Sequence, residues 1–214
     1  MVRRKDTGSY EQERQKIIAA ASQIFREEGP QALTNRKLAD LAGCTTMTIY
    51  SRFGSKGGIL SALFAEGVER FQEGQDAVPQ NENALMELSA LVLAYRQTAL
   101  QYSNHYQLIF GPPLPEFTPT DADKDLLLST YSRLRNVVAR LVADYEVDAI
   151  TFEIFALCHG LVTLELANMS KLAPNIEDMY INATLRLTGA NKPATPSSEN
   201  ITRVGAESLT NVEA

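Results

Sequence analysis

The 214-residue sequence contains no tryptophan, only two cysteines and only two histidines. Cys44 and Cys158 are too few for a disulfide framework, which suits a reducing compartment. His105 and His159 have no second histidine or carboxylate at metal-ligand spacing. We therefore predict neither a metal site nor another cofactor.

Long apolar runs and enzyme motifs are also lacking. No stretch approaches 18 consecutive apolar residues, and the basic N-terminus lacks the apolar segment of a signal peptide. The lysine between the glycines of residues 54–58 is not at P-loop spacing. Cys158 and His159 are adjacent, and neighbours on a helix point about 100° apart, which disfavours a catalytic thiol–imidazole pair. We expect a cytoplasmic protein, without a membrane segment, that is not an enzyme.

The net charge of −6 is divided unevenly along the chain. Residues 1–56 hold ten Lys and Arg against six Asp and Glu, a net charge of +4, which leaves −10 for the remainder. Phosphate contact requires local positive charge rather than a basic protein. The first quarter of the chain is therefore the candidate for a nucleic-acid interface.

The stretch 33–60 predicts two short helices joined by a tight turn. Thr34 can cap the first helix, and apolar residues recur after it at helical spacing. Gly43 follows where a helix can end at positive φ, and Thr45 or Cys44 can cap the second helix.

The second helix has an inward apolar side and an outward polar side. Ile49 and Phe53 lie one turn apart, and Met47 and Ser51 lie opposite them. A helix of about two turns is unstable alone. Held by two apolar residues, it suits the DNA major groove, which is about 12 Å wide. We interpret the pair as a helix-turn-helix whose second helix reads DNA.

These residues resemble the N-terminal signature of the tetracycline-repressor (TetR) family of bacterial regulators, and the spacing is kept from Tyr10 to about Leu63. The signature is carried by Thr34, Leu38, Ala39, Ala42, Gly43, Thr48, Ile49, Tyr50, Phe53, Ser55 and Lys56. The sequence departs from the family at Gly57 and Gly58, where an acidic residue is common, and at Met47, where many members have Gly or Pro. The DNA-binding residues predicted with this resemblance are Thr34, Asn35, Arg36, Thr45, Thr46, Met47, Thr48, Tyr50, Arg52 and Lys56.

The rest of the chain has helical periodicity, and the fold class predicted is all-α. We expect helices over 10–28, 55–74, 84–104, 122–145 and 148–169, and a last helix from Pro174 to about Gly189. The predicted organisation is a flexible basic arm (1–9), a three-helix helix-turn-helix domain (10–56), a helical bundle for ligand binding and dimerisation (57–189) and a disordered tail (190–214). The arm could be plain disorder or could contact DNA through Arg3, Arg4 and Lys5.

The last two predicted helices carry more apolar surface than one small protomer needs to cover, which favours a four-helix interface between two copies. The resemblance implies the same homodimer. A weaker resemblance joins HYQLIFGPPLP and IFALCHGLVTLEL to the TetR subfamily whose ligand domain carries a Trp-His-Gly signature, with Cys158 in place of the tryptophan.

Aromatic residues of the middle helices are core residues first, and the family places its ligand cavity among them. The ligand-binding residues predicted with this resemblance are Phe64, Tyr95, Tyr102, Tyr106, Phe110, Tyr131, Phe155 and His159. For His159, a core role is as good an interpretation as a ligand contact.

The function predicted is a homodimeric transcriptional regulator that binds a palindromic double-stranded DNA operator and is released by a small apolar or aromatic effector. Repression is the commonest mode in the family, and activation remains open. One alternative is a helical small-molecule-binding protein or enzyme with a vestigial helix-turn-helix. Another is a nonspecific nucleoid-type DNA binder.

Overall fold

A computed structural model of the protein describes residues 7–169 and 175–190, whose regular secondary structure is helical, as the all-α prediction requires. The helices are α1 (Thr7–Glu28), α2 (Asn35–Ala42), α3 (Thr46–Phe53), α4 (Lys56–Asp76), α5 (Ala84–Gln101), α6 (Ser103–Phe110), α7 (Asp121–Ser129), α8 (Tyr131–Val138), α9 (Val147–Leu166) and α10 (Ile176–Leu187). Pro174, the basic residues of the predicted arm and all but the first residue of the predicted tail lie outside the described residues.

The first hydrophobic core joins α1, α2 and α3 to the first half of α4. Its fully buried side chains come from all four helices, and Phe117 closes one side of it. Leu33 and Leu38, which flank the start of α2, are both buried as a hydrophobic staple requires. The main members of this core are Ile17, Ile24, Phe25, Leu38, Ile49, Ile59, Leu60, Leu63 and Phe64.

The second hydrophobic core lies among α5, α6, α8, α9 and α10, with α5 packed against α4, α8, α9 and α10. Phe71, in the last third of α4, belongs to this second core, whereas Phe64 belongs to the first. The single helix α4 is therefore a structural member of both halves of the protein.

Two predicted helices are each divided in the structure. The predicted helix 84–104 ends at Gln101, and α6 begins after Tyr102, whose φ of −114° and ψ of 46° are not helical. The predicted helix 122–145 divides at Thr130 and ends at Val138. The hydroxyl of Thr130 donates to the Leu127 carbonyl at 2.7 Å, a local hydrogen bond that competes with the helical ladder.

The segment between α6 and α7 crosses the start of α4. A Cβ atom at Gly57 would lie 2.7 Å from the carbonyl oxygen of Glu116, so this position accepts only glycine without a shift of the backbone. Phe117 is buried, and its ring lies 5.8 Å from that of Phe64. The glycine at position 57, unusual for the resembling family, thus makes room for the segment.

The stretch Asp144–Leu166, which contains α9, is long and apolar enough to cross a membrane by length and composition, with a mean hydropathy of 1.6. A single such helix is only a weak indication of a membrane span, because core helices of water-soluble proteins meet the same criteria. Only a third of its most apolar part is buried within the protomer.

A buried carboxylate ties α8 to the far end of α4. Glu87 on α5 is almost fully buried and accepts hydrogen bonds from Arg140 at 2.7 Å and from the Asn81 backbone N–H at 3.1 Å. Arg133 is the third partner of Glu87. It also donates to the carbonyl of Gln75 in the last turn of α4 and to that of Val78 just after the helix. Burial raises the pKa of Glu87, but these three donors outweigh it and hold the pKa below its ordinary value.

We expect Glu87→Gln to lower the free energy of unfolding by about 1.5–3 kcal/mol at neutral pH, because the arginines lose a charged acceptor. The lowered pKa gives a stability contribution that is present above the ordinary carboxyl pKa and is lost as the pH falls through the folded-state value. The difference between wild type and variant should therefore shrink in acid. Urea unfolding across the acid range measures it, with Glu73→Gln, an exposed partner of Arg70, as the control expected within about 0.5 kcal/mol.

Candidate nucleic-acid interface and aromatic cavity

Capping residues define the starts of α2 and α3 and the turn between them. The Thr34 hydroxyl accepts from the backbone N–H of Lys37 at 3.3 Å, and Gly43 ends α2 at φ 64°. Thr45, rather than Cys44, caps α3 by accepting from the Thr48 N–H at 3.1 Å. Thr34 and Thr45, both predicted to contact DNA, therefore have local structural roles as caps.

The outward side of α3 is open. Met47 is 75% exposed and Tyr50 is 52% exposed, and Thr46 beside them is exposed too. Ile49 on the opposite side is buried in the first core. The Asn35 amide donates to the Tyr50 hydroxyl at 2.8 Å, which joins the start of α2 to the middle of α3.

The basic residues near α3 differ in their surroundings. Arg36 on α2 is exposed, and Thr48 is half-buried. The guanidinium of Arg52 lies 4.1 Å from the Tyr10 ring centroid and pairs with Glu13 on α1. The charged group of Arg52 is thus held between α3 and α1, and its contact with DNA stays a prediction.

Lys56 begins α4, and its ammonium nitrogen lies 3.4 Å from a carboxylate oxygen of Glu116. Ser55 precedes it at the N-cap position, but its side chain makes no capping hydrogen bond. Lys56 lies at the end of α4 that adjoins α3 and has an acidic partner that the sequence did not indicate. Its contact with DNA stays a prediction.

A second feature is a small cavity inside the second core, with a volume of about 50 Å³, which holds only a few water molecules as it stands. Helices α4 to α9 all contribute to its wall, and no charged residue lines it among those the structure describes. The lining residues are Phe71, Gln75, Leu91, Val92, Tyr95, Phe110, Leu127, Thr130, Tyr131, Leu134, Ile154, Phe155 and Cys158.

Four of the eight predicted ligand residues, Tyr95, Phe110, Tyr131 and Phe155, line this cavity. Their rings contact one another at centroid distances from 4.8 to 6.1 Å, as in the pairs Tyr131–Phe155 and Tyr95–Phe155. The cavity is thus surrounded by an aromatic cluster contributed by α5, α6, α8 and α9.

Two more of the predicted residues lie directly behind this wall. The Tyr106 hydroxyl is 2.6 Å from His159 Nδ1, and the His159 ring lies 5.3 Å from Phe110 and 6.0 Å from Phe155. Phe64 and Tyr102 are corrected. Phe64 packs in the first core, and Tyr102 lies between His105 and the Arg70 guanidinium, away from the cavity.

Polar groups in and behind the wall are neutral near pH 7. Burial raises the pKa of the Cys158 thiol to about 12 and that of the Tyr106 phenol to about 12. Burial also raises the pKa of Tyr131 and lowers that of His159, which favours the uncharged imidazole. The cavity can therefore offer hydroxyl and thiol hydrogen bonds but no ionic partner.

Sequence reasoning chose Phe64 as the α4 residue at the cavity and missed Phe71 and Gln75, which line it. Phe71 and Gln75 lie one turn apart near the end of α4 and both line the wall. Their spacing could have indicated a shared face, but no sequence signal showed that this face lines the same cavity as α8 and α9. One helix thus begins beside the helix-turn-helix and ends in the cavity wall.

The fold and these two sites define a class, the helical DNA-binding regulators with an N-terminal helix-turn-helix. The model for "Bacterial regulatory proteins, tetR family" matches residues 17–63, and that for "Tetracyclin repressor-like, C-terminal domain" matches residues 88–187. The chain belongs to the TetR family. The relation to the Trp-His-Gly subfamily stays a prediction.

Solved structures share the fold at low sequence identity. A protein of unknown function from Rhodococcus sp. RHA1 has a TM-score of 0.71 at 19% identity, over 83% of this chain and 94% of that chain. The TetR-family transcriptional regulator PfmR from Thermus thermophilus gives 0.60 at 14%, over 83% and 99%. A TetR variant from Acinetobacter baumannii AYE in complex with minocycline gives 0.56 at 21%, over 81% and 93%. No curated protein matches the chain in sequence at a significant level.

The contacts of Arg52 predict a role in stability. Arg52→Ala removes an exposed ion pair and a cation–π contact to α1, which together cost about 1 kcal/mol of unfolding free energy. Met47→Ala, on the open side of the same helix, should change it by less than about 0.5 kcal/mol. Chemical denaturation of both variants tests this, and equal stabilities would mean that Arg52 does not hold α3 to α1.

Proposed function

We propose that the protein is a ligand-responsive transcriptional regulator that binds a palindromic operator as a homodimer and is released by a small uncharged apolar or aromatic effector. The observation that carries the proposal is the course of α4. This helix starts at Lys56 beside the open face of α3 and ends with Phe71 and Gln75 in the cavity wall.

The DNA-binding part of the proposal rests on α3 and the start of α2. The exposed side of α3 is formed by Thr46, Met47 and Tyr50. The major groove is wide enough to admit one α-helix with such a side facing the bases. Arg36 approaches from α2, and Asn35 orients Tyr50. Two such units must lie about 34–36 Å apart to read successive turns of one face of the duplex.

The chemical class of the effector follows from the cavity wall. An ionised group buried there would find no charged partner among the described lining residues, and an unpaired buried charge is strongly unfavourable. Aromatic rings and aliphatic side chains favour a flat or aliphatic molecule. The hydroxyls of Tyr95 and Tyr131 and the amide of Gln75 can each accept or donate one hydrogen bond to it.

The cavity volume of about 50 Å³ gives a reason for a switch. Ligand sites commonly measure roughly 300–1,000 Å³, so an effector of that size must displace the wall. Displacement of Phe71 and Gln75 moves the end of α4. Over a helix of 21 residues, about 30 Å long, a tilt of a few degrees moves the other end by about an ångström or more.

The dimer part of the proposal rests on α9 and α10. Phe152 is 64% exposed, and Leu164 and Met179 are also exposed on these two helices. A second copy packed on them as a four-helix interface would cover this surface. The same partner accounts for the high hydropathy of α9 without a membrane. The proposed DNA-binding function implies that the protein works in the cytoplasm.

Binding to selected DNA separates this proposal from its alternatives. Selection from random duplexes should yield a palindrome, and binding to it should weaken steeply with salt because phosphate contacts release counterions. A helical small-molecule binder or enzyme with a vestigial motif would bind no DNA. A nucleoid-type protein would bind every duplex equally, and its selection would return no consensus.

Arg36→Ala tests the reading surface. If Arg36 pairs with a guanine, the variant should lose about 1–3 kcal/mol of discrimination at one position in each half-site. The matched control is Arg26→Ala, which removes the same charge from the end of α1. Only the backbone carbonyl of Arg26 accepts a hydrogen bond from Asn104 of α6, and the variant keeps that carbonyl. Affinities for the operator and for single-base variants decide between the roles. A uniform loss on all sequences would make Arg36 a phosphate contact.

A further inference from the structure

The ion pair between Lys56 and Glu116 joins residues 60 positions apart, and it occurs at the end of α4 that adjoins the reading helix α3. Lys56 is the first residue of α4, and the first turn of that helix contains no acidic residue of its own. Glu116 therefore supplies the negative charge at this helix start. Its side chain is half-exposed, so water and other ions can reach the pair.

The backbone around Glu116 is held in place by three contacts that do not involve its carboxylate. The Phe117 N–H donates to the Leu114 carbonyl at 3.0 Å, in an isolated antiparallel bridge. Phe117 is buried against Phe64, and the Glu116 carbonyl occupies the space that a side chain at position 57 would need. The carboxylate is thus delivered to Lys56 by a packed segment.

The same segment leads directly to the cavity. Phe110, the last residue of α6, lines the cavity wall, and Glu116 follows it by six residues. Between them the chain turns through a Gly-Pro-Pro sequence, and proline restricts the backbone of its own and the preceding residue. Because the connecting segment is short and its backbone is restricted, a shift of Phe110 would also move Glu116.

We infer that Glu116 competes with DNA phosphate for Lys56, and so sets the affinity of the protein for its operator. This inference rests on the proposed DNA-binding function. A carboxylate and a phosphate oxygen are alternative acceptors for one ammonium group. In the free protein the Glu116 carboxylate pairs with the Lys56 ammonium group. When the operator binds, a DNA phosphate takes the place of the carboxylate. The α6–α7 segment is then part of the DNA-affinity machinery, although it lies in the C-terminal half of the sequence.

The test is a double-mutant cycle on the full-length protein with its selected operator. Glu116→Gln removes the competing charge and should tighten operator binding about two- to fivefold, the range of an exposed ion pair. Asp121→Asn is the matched control, because it changes the net charge equally and breaks an exposed pair with Lys124 instead. It should leave affinity within about 1.5-fold, the effect of one exposed charge screened by salt.

Variants made in the Lys56→Gln background show whether Glu116 acts through Lys56. In it, Glu116→Gln should no longer tighten binding, and Lys56→Gln alone should lower the salt slope by about 0.9, one phosphate contact. Thermal unfolding confirms that all variants are folded. The inference is overturned if Glu116→Gln equals Asp121→Asn, if its gain persists without Lys56, or if the salt slope of Lys56→Gln is unchanged. Each result leaves wild-type operator binding intact, whereas failure of the wild type to bind any operator would refute the proposed function itself.

Discussion

The sharing of α4 between two hydrophobic cores is the constraint on which the rest of the structure depends. Leu60, Leu63 and Phe64 fix the first half of the helix among α1, α2 and α3, whereas Phe71 fixes the second half against the aromatic cluster. Close-packed interiors are hardly compressible, so a displaced side chain moves its neighbours instead of being absorbed. Neither core can therefore rearrange around α4 without an effect on the other.

Both ends of α4 are held by charged groups from the C-terminal half of the chain. At its start, Lys56 meets Glu116 from the α6–α7 segment. Near its end, Arg133 of α8 binds the Gln75 carbonyl and is itself held by the buried Glu87. Helices α6 and α8 also contribute to the cavity wall, so each attachment lies on or next to an element that lines the cavity. A rigid helix held at both ends by elements that adjoin one cavity is suited to a two-state switch.

The local features of the helix-turn-helix could be predicted from sequence, because Thr34, Gly43 and the buried Ile49 act within a few residues of themselves. Helical periodicity likewise gave the all-α class. Periodicity shows that a residue is buried but not in which core, so it does not show that Phe64 packs in the first core and not at the cavity. The division at Thr130 has no glycine or proline to mark it, and the local hydrogen bond of the Thr130 hydroxyl found there is not evident from the sequence pattern. The partners of Arg52 and Lys56 are 39 and 60 residues away and could be found only in three dimensions.

We propose that the cavity and the DNA-binding face are energetically coupled through α4. Isothermal titration of a binding uncharged aromatic compound, with and without saturating operator, tests it most directly, together with operator affinity measured with and without that compound. We expect the compound and the operator to weaken each other's binding by the same factor, about 5–150-fold, because coupling free energy is reciprocal. A compound that enters the cavity with the same affinity in the presence and absence of operator would contradict it.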